Sequence, residues 1–458
     1  MKRYCIMALV MMLTCALAHP ASGSGFQDVK EYNLDNGLKV LLLEEHKAPV
    51  AVFQIWYKVG SMYEPYDKAG ISHMLEHMMF KGTRKYGPKM FSQMVQRLGG
   101  SDNAFTSQDY TAFFQTFSSD RIWLSLDLES DRMRGLLLDD KEFLSERYVV
   151  AEERRMRTDN DPESALGEVT QAAAFQLHPY RWPIIGWMDT IKNFSVEDAR
   201  RHYNTYYEPN NATIVVVGDF ASDKMLSEIK RYFGGIPKGP TPPQVFVKEP
   251  EQHGERRVFL EKEAQLPTIY IGYHIPNLNN PDNFALDILE AVFSGGRSAR
   301  LYKDLVYDRQ IAQSANAGND SVSKDPSLFS FDAGVMPGKT VDEVEKALYD
   351  EVERVKTEPI SEREMQKAKN QIESSFIMGQ DSNFNRAMLL GRYESIASWK
   401  VLNTYLDGIR AVKPEDVMRV AKQYLTTENR TVGILIPLPI GEGEEAPAMP
   451  SMPAGAVR

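Results

Sequence analysis

The sequence predicts an α+β protein made of two homologous halves, each a mainly antiparallel sheet packed against helices. Three observations lead there. Strand-like stretches come in runs and do not alternate strictly with helices, which points away from a wound parallel sheet. A segment dense in proline and glycine, Gly234-Gly235-Ile236-Pro237-Lys238-Gly239-Pro240-Thr241-Pro242-Pro243, interrupts the 458-residue chain near its middle and defeats both helix and central strand. After that segment the order of elements recurs. A chain of this length is also expected to hold more than one core.

The first residues stand apart from this plan. Met1-Lys2-Arg3 precedes an apolar run from Ile6 to Ala18 that ends in Ala16-Leu17-Ala18, the pattern of a secretory signal peptide over residues 1–18. A membrane anchor is disfavoured because the run is shorter than the roughly 20 apolar residues needed to span a bilayer. Both cysteines, Cys5 and Cys15, fall inside it. The mature chain is then expected to hold no disulfide, thiol nucleophile or thiolate metal site; lipidation at Cys15 is the alternative processing. Periplasmic export follows, with secretion beyond the cell as the other destination. A net charge of −10 argues against nucleic acid as a partner, and no later stretch is apolar enough to be a transmembrane segment.

Residues 19–25 are expected to be a flexible N-terminus and 26–233 the first domain. It opens with Tyr32 to Leu34, an Asp35-Asn36-Gly37 turn and a strand from Leu38 to Glu44, a hairpin pattern. A strand at Val50 to Val59 follows, then helices at Ile71 to Phe80 and Met90 to Leu98. A strand pair through Asn103 to Phe117 precedes helices at Asp120 to Arg134 and Lys141 to Arg157. Residues 234–254 are the expected linker and 255–440 the second domain. There the predicted order is a strand at Thr268 to His274, a helix at Asp282 to Phe293, strands near Ile311 to Asn319 and Ser327 to Val335, and a helix at Val341 to Lys356. The tail 441–458, with Pro447, Pro450 and Pro453 among small residues, is expected to be disordered.

One pair among the eight histidines stands four apart, in His73-Met74-Leu75-Glu76-His77. Residues i and i+4 share a helix face, so both imidazoles can reach one ion, and Glu76 can point at water beside that ion. A catalytic zinc takes three protein ligands and leaves one position for water. With no cysteine left, the third ligand must be sought among carboxylates. The densest acidic helix of the first half carries Glu146, Glu152 and Glu153, with Glu146 and Glu153 nearly two turns apart on one face. A solvated charged face is the usual reason for such a cluster, and spacing alone leaves the third ligand open.

Gly60, Gly70-Ile71-Ser72, the run His73 to His77 and Phe80-Lys81-Gly82-Thr83 together resemble the signature of the pitrilysin (insulinase) family of inverted-motif zinc peptidases, within it the bacterial subfamily similar to mitochondrial processing peptidase. The resemblance extends through Gly99-Gly100-Ser101-Asp102-Asn103-Ala104-Phe105-Thr106, Glu146 to Glu153, and Pro179-Tyr180 with Pro183 and Gly186. It covers nearly all of the mature chain, and the duplicated architecture is also that of the family, the pitrilysin/LuxS-like metallohydrolase fold.

That resemblance implies one Zn2+ per chain, held by His73, His77 and Glu153, with Glu76 as the catalytic base and Glu146 as an acid that supports the site. It implies an exported metalloendopeptidase of EC 3.4.24 type acting on peptides. Asn103, Ala104 and Phe105 resemble the edge strand that pairs with substrate, and Arg386 and Tyr393, seven apart on a predicted helix, resemble a pair that binds substrate carbonyls. The second half has no His-x-x-Glu-His and is expected to be catalytically silent. A homodimer, or a heterodimer with a related silent subunit, would enclose the substrate. The competing reading is a non-catalytic scaffold or partner subunit of a processing-peptidase-like complex, and a zinc-binding transport or storage protein is a further one.

Overall fold

The computed structural model describes residues 25–439. The expected signal peptide, residues 19–24 and the tail 441–458 lie outside the described residues.

The first half runs through β1 (Lys30–Asn33), β2 (Lys39–Glu44), β3 (Val50–Tyr57), α1 (Ile71–Met78), α2 (Met90–Arg97), β4 (Ser101–Thr106) and β5 (Thr111–Ser118). Then come α3 (Trp123–Gly135), α4 (Asp140–Arg154), α5 (Pro162–Ala174), α6 (Met188–Asn193), α7 (Val196–Tyr206), β6 (Ala212–Gly218) and α8 (Ser222–Phe233). The second half opens with β7 (Arg256–Glu263), β8 (Thr268–Ile275), α9 (Asn283–Ser294), β9 (Ala312–Asn319) and β10 (Ser327–Val335). It closes with α10 (Val341–Thr357), α11 (Glu362–Gly379), α12 (Asn383–Ile396), α13 (Tyr405–Ala411), α14 (Pro414–Tyr424) and β11 (Arg430–Leu438).

The first sheet has the order β1-β2-β6-β3-β5-β4 and the second β7-β11-β8-β10-β9. Without β1, the two orders superimpose strand for strand. Even the exception is shared: β2 pairs with β6 in parallel, as β7 does with β11, while the other pairings are antiparallel. The duplication expected from the sequence is therefore present in the topology. Strands β6, β7 and β11 are additions to the predicted set. Strand β6, with seven buried residues in succession, has no solvent face and hence no alternation to read.

Each half covers one sheet face with its own helices and the other with a helix from its neighbour. Helix α5 of the first half lies on β7, β8 and β11, and α12 of the second lies on β3 and β6. The alternation of β3 shows how this works. Phe53, Ile55 and Tyr57 enter one core with Met74, Leu75 and Met78 of α1, whereas Val52 and Trp56 enter another with Ala387, Leu390 and Tyr393 of α12. Gly391 lets α12 approach closely, since a Cβ there would stand 2.1 Å from the Trp56 ring. The exchange ties the halves into one body.

Helix α1 is placed by its entry. Gly70 precedes it at φ +98, where an added Cβ would meet the carbonyl oxygen of Ile185 at 2.4 Å; only glycine tolerates both constraints. The buried Glu64 carboxylate accepts hydrogen bonds from the backbone N–H groups of Gly70 (2.6 Å) and Ser72 (2.7 Å), satisfying donors that a helix start leaves free. Ile71, Met74, Leu75 and Met78 are buried, each such side chain contributing on the order of 2 kcal/mol. That leaves His73, Glu76 and His77 on the other face.

Candidate metal centre

The open side of α1 is covered by helix α4. Helix α4 starts at Asp139, whose side chain accepts from the N–H groups of Lys141 and Glu142, a carboxylate N-cap. It ends in a π-helical turn at Arg155–Asp159. Arg154 holds that end, donating to both carboxylate oxygens of Glu168 on α5 (2.8 and 2.9 Å) and to the carbonyl of Gly186 (2.7 Å). Glu153, the adjacent residue, is thereby aimed at α1.

The Nε2 atoms of His73 and His77 lie 3.8 and 3.2 Å from the same oxygen of Glu153. Ligands about 2.0–2.1 Å from a tetrahedral zinc stand roughly 3.3 Å apart. One donor atom from each of the three residues falls within 4.8 Å of the others, and among the described residues no other group of three His, Cys, Asp or Glu does so. Donor chemistry and spacing therefore both fit a zinc ion.

Three other histidines serve elsewhere. His202 is within hydrogen-bond distance of Ser72 (3.0 Å), His274 reaches the carbonyl of Ala174 (2.9 Å), and His46 sits exposed beside Asp219 (2.7 Å).

Electrostatics separate the two imidazoles of the centre. Burial, reinforced by His77, pushes His73 down to about 3, so its ring is neutral and keeps a lone pair. For His77 burial acts in the same direction, but hydrogen bonds to Glu146 and Glu153 outweigh it and raise the ring to about 9. Glu153 is held down at about 2: burial opposes this, and the hydrogen bond and charge of His77, with the charge of Arg157, override it. The His77–Glu153 contact thus carries a proton at the position where a cation would lie, and a metal ion held there would displace that proton.

Glu146 is buried and lies 2.9 Å from Nδ1 of His77. The ammonium of Lys81 pairs with its other oxygen. Glu152 points outward to Arg155. The geometry thus separates two neighbouring glutamates that the sequence left equivalent. Burial raises the Glu76 carboxyl above its ordinary value, against a hydrogen bond that Thr106 donates at 2.6 Å.

Strand β4 forms one edge of the first sheet, with only β5 beside it. Asn103 is exposed and Ala104 and Phe105 are partly so. Ala104 turns toward the core of α1, while Phe105 packs on the other face against Trp56 and Tyr110.

Arg386 and Tyr393 are not brought to this centre. Both are buried on α12, behind the sheet from α1. The Arg386 guanidinium is already engaged, with Glu45 at 3.0 Å and with the carbonyl of Gln380. Spacing put the two residues on one helix face but could not show that this face packs on a sheet. Of two further residues at the centre, sequence reasoning assigns Lys81 no role and Thr106 only a place at the end of the strand that resembles the substrate-pairing edge. Lys81 had a signal in its position four after His77; Thr106, thirty residues from Glu76, had none in spacing.

Residues 39–186 match the sequence profile described as Insulinase (Peptidase family M16), and residues 193–372 that of the Peptidase M16 inactive domain. The zinc protease PqqE of Helicobacter pylori is 34% identical over 443 residues, spanning 95% of this chain and 99% of that protein. The crystal structure of a protease from Helicobacter pylori superimposes with a TM-score of 0.86 at 34% identity, covering 89% of this chain and 99% of the other. The periplasmic protease PqqL of Escherichia coli shares the fold alone, at 17% identity and a TM-score of 0.76, with 90% of this chain matching 48% of that one.

Proposed function

Because the chain belongs to the insulinase family of peptidases, M16, we propose that it is an exported zinc metalloendopeptidase hydrolysing peptides or unfolded polypeptide segments. The observation that carries this reading is the meeting of two imidazole Nε2 atoms at one Glu153 oxygen, with Glu76 on the same face of α1. In this reading His73, His77 and Glu153 hold one zinc ion per chain, and Glu146 orients His77.

Zinc, when bound, lowers the pKa of water toward neutrality and polarises the scissile carbonyl. Glu76 takes the proton of the attacking water and passes it to the leaving amine. The upward shift of its carboxyl by burial suits a group that must both accept and return a proton near neutral pH. The substrate backbone pairs with the free edge of β4 along Asn103, Ala104 and Phe105, a mode that reads side chains weakly.

Export rests on residues 1–18. A homodimer enclosing the substrate belongs to the same proposal, with a heterodimer as the alternative; the protease PqqL carries this fold in a chain of about twice the matched length, which supports pairing. Light scattering of the purified protein decides whether it self-associates.

The test is incubation of zinc-loaded wild type and Glu76→Gln with a mixed peptide pool, read by mass spectrometry. Wild type is expected to cut internal bonds and Glu76→Gln to leave the pool intact. An inert wild type with zinc bound would instead favour the non-catalytic scaffold.

A further inference from the structure

Strand β4 packs beside the proposed catalytic helix. Its last residue, Thr106, directs Oγ1 at Oε2 of Glu76, 2.6 Å away. An ionised carboxylate only accepts, so the threonine hydroxyl donates. The position of that hydroxyl is fixed by the sheet: Thr106 pairs in register with Thr111, and the intervening turn is closed by a hydrogen bond from Ser107 N–H to the Tyr110 carbonyl at 2.8 Å. Thr111 cannot replace it, since its own hydroxyl donates to the Val59 carbonyl at 2.8 Å.

We propose that Thr106 is a positioning residue for Glu76, fixing one carboxylate oxygen so that the other faces the reacting water. The inference rests on the peptidase reading and deepens it, because the strand proposed to receive the peptide then also sets the orientation of the base. A carboxylate with one oxygen tied loses rotation about its last bond; without the tie it samples orientations that cannot reach the water. Alignment of this kind is needed in the transition state more than in substrate binding, so its loss should appear in kcat and leave KM unchanged.

The experiment compares Thr106→Val, which keeps the shape and removes the hydroxyl, with Thr106→Ser, which keeps the hydroxyl. Zinc-loaded full-length protein is assayed on a fluorescence-quenched peptide chosen from the pool, and zinc affinity is measured separately by chelator competition. Thr106→Val is expected to lose about tenfold to a hundredfold in kcat, the size of a hydrogen bond to a charged group. KM and zinc affinity should stay within about twofold, and Thr106→Ser should keep kcat within about threefold of wild type. If the valine variant does not fold, Thr106→Ala takes its place with the same expectation. The proposal is overturned if removing the hydroxyl leaves kcat within about twofold, if serine fails as valine does, or if zinc affinity falls in parallel. Glu76→Gln separates the two levels. An inert zinc-loaded wild type removes the peptidase reading itself and a fully active Glu76→Gln removes Glu76 as the base, whereas an inactive Glu76→Gln beside an active Thr106→Val removes only the role of Thr106.

Discussion

Nδ1 of His77 lies 2.9 Å from a carboxylate oxygen of Glu146, and this contact sets which ring nitrogen would face an ion. The carboxylate accepts from Nδ1–H, so Nε2, turned toward Glu153, is the nitrogen that would give its lone pair to an ion once its own proton has left. Lys81 holds the second oxygen of Glu146, restraining the carboxylate that restrains the ring. Glu146→Ala is therefore expected to weaken zinc binding about tenfold to a hundredfold without removing a ligand. Lys81→Met should act in the same direction and more weakly. Competition with a coloured chelator measures both; unchanged affinity in Glu146→Ala would sever the proposed support.

The three proposed ligands and the proposed base differ in what their loss should do to metal content. His73→Ala, His77→Ala and Glu153→Ala each remove a donor from a set of three and should abolish both bound zinc and turnover. Glu76→Gln should retain zinc and lose about 10²–10⁴-fold in kcat, the range of general acid–base assistance. Metal analysis of purified variants tests this before any substrate is known. Full zinc with full activity in Glu153→Ala would remove that residue from the set.

Much of this arrangement is readable in the sequence because it is local. The i, i+4 spacing of His73 and His77 and the shared face of Glu146 and Glu153 survive in any helix, and Asp35-Asn36-Gly37 marks its hairpin by local turn chemistry, even though the Asn36 amide also donates to the distant carbonyls of Phe233 and Ile236. What requires tertiary context is less legible. Nothing in α5 or α12 indicates that each packs on the other half's sheet, and burying Arg386 and Glu394 on α12 blurs its apolar face. Strand β7 alternates half-buried and exposed residues, yet its outward charges, Glu261 and Glu263 among them, mask it as a strand. The ordering of Glu152 and Glu153 depends on the angle at which α4 crosses α1, which no spacing rule supplies.

Arg386 offers a sharper test of whether a helix-face resemblance marks substrate contact. Its guanidinium is only 4% exposed and stands 3.0 Å from Glu45 on the first half. Removing Arg386 leaves Glu45 only the exposed Lys47, 3.5 Å away, as a counter-charge, at a cost of up to about 3 kcal/mol. Arg386→Met is expected to lower stability by about that amount in urea unfolding while leaving KM for a peptide unchanged. A variant with wild-type stability and a raised KM would instead establish the substrate role suggested by its spacing from Tyr393.

The second half answers the acidic ligand chemistry of the first with an acid pair of its own. Helix α9 lies between β8 and β9 as α1 lies between β3 and β4, and aligning Leu289-Glu290 with Leu75-Glu76 puts Ala291 in the place of His77 and Asp287 in that of His73. Asp287 accepts from the Tyr405 hydroxyl and the Asn319 side-chain amide, each at 2.8 Å. Burial nevertheless raises Asp287 to about 6, and burial with the charge of Asp287 raises Glu290 to about 7. Both values lie above those of the unfolded chain, so between about pH 4 and 7 the folded protein holds protons that the unfolded chain has released. Stability is therefore fully supported below that window and falls as pH rises through it, by about 2 kcal/mol once partial exposure is allowed for. Urea midpoints at pH 5 and pH 8 measure the fall, and Asp287→Asn with Glu290→Gln should flatten it by removing both titrations. A slope that persists in the double variant would place the responsible protons elsewhere.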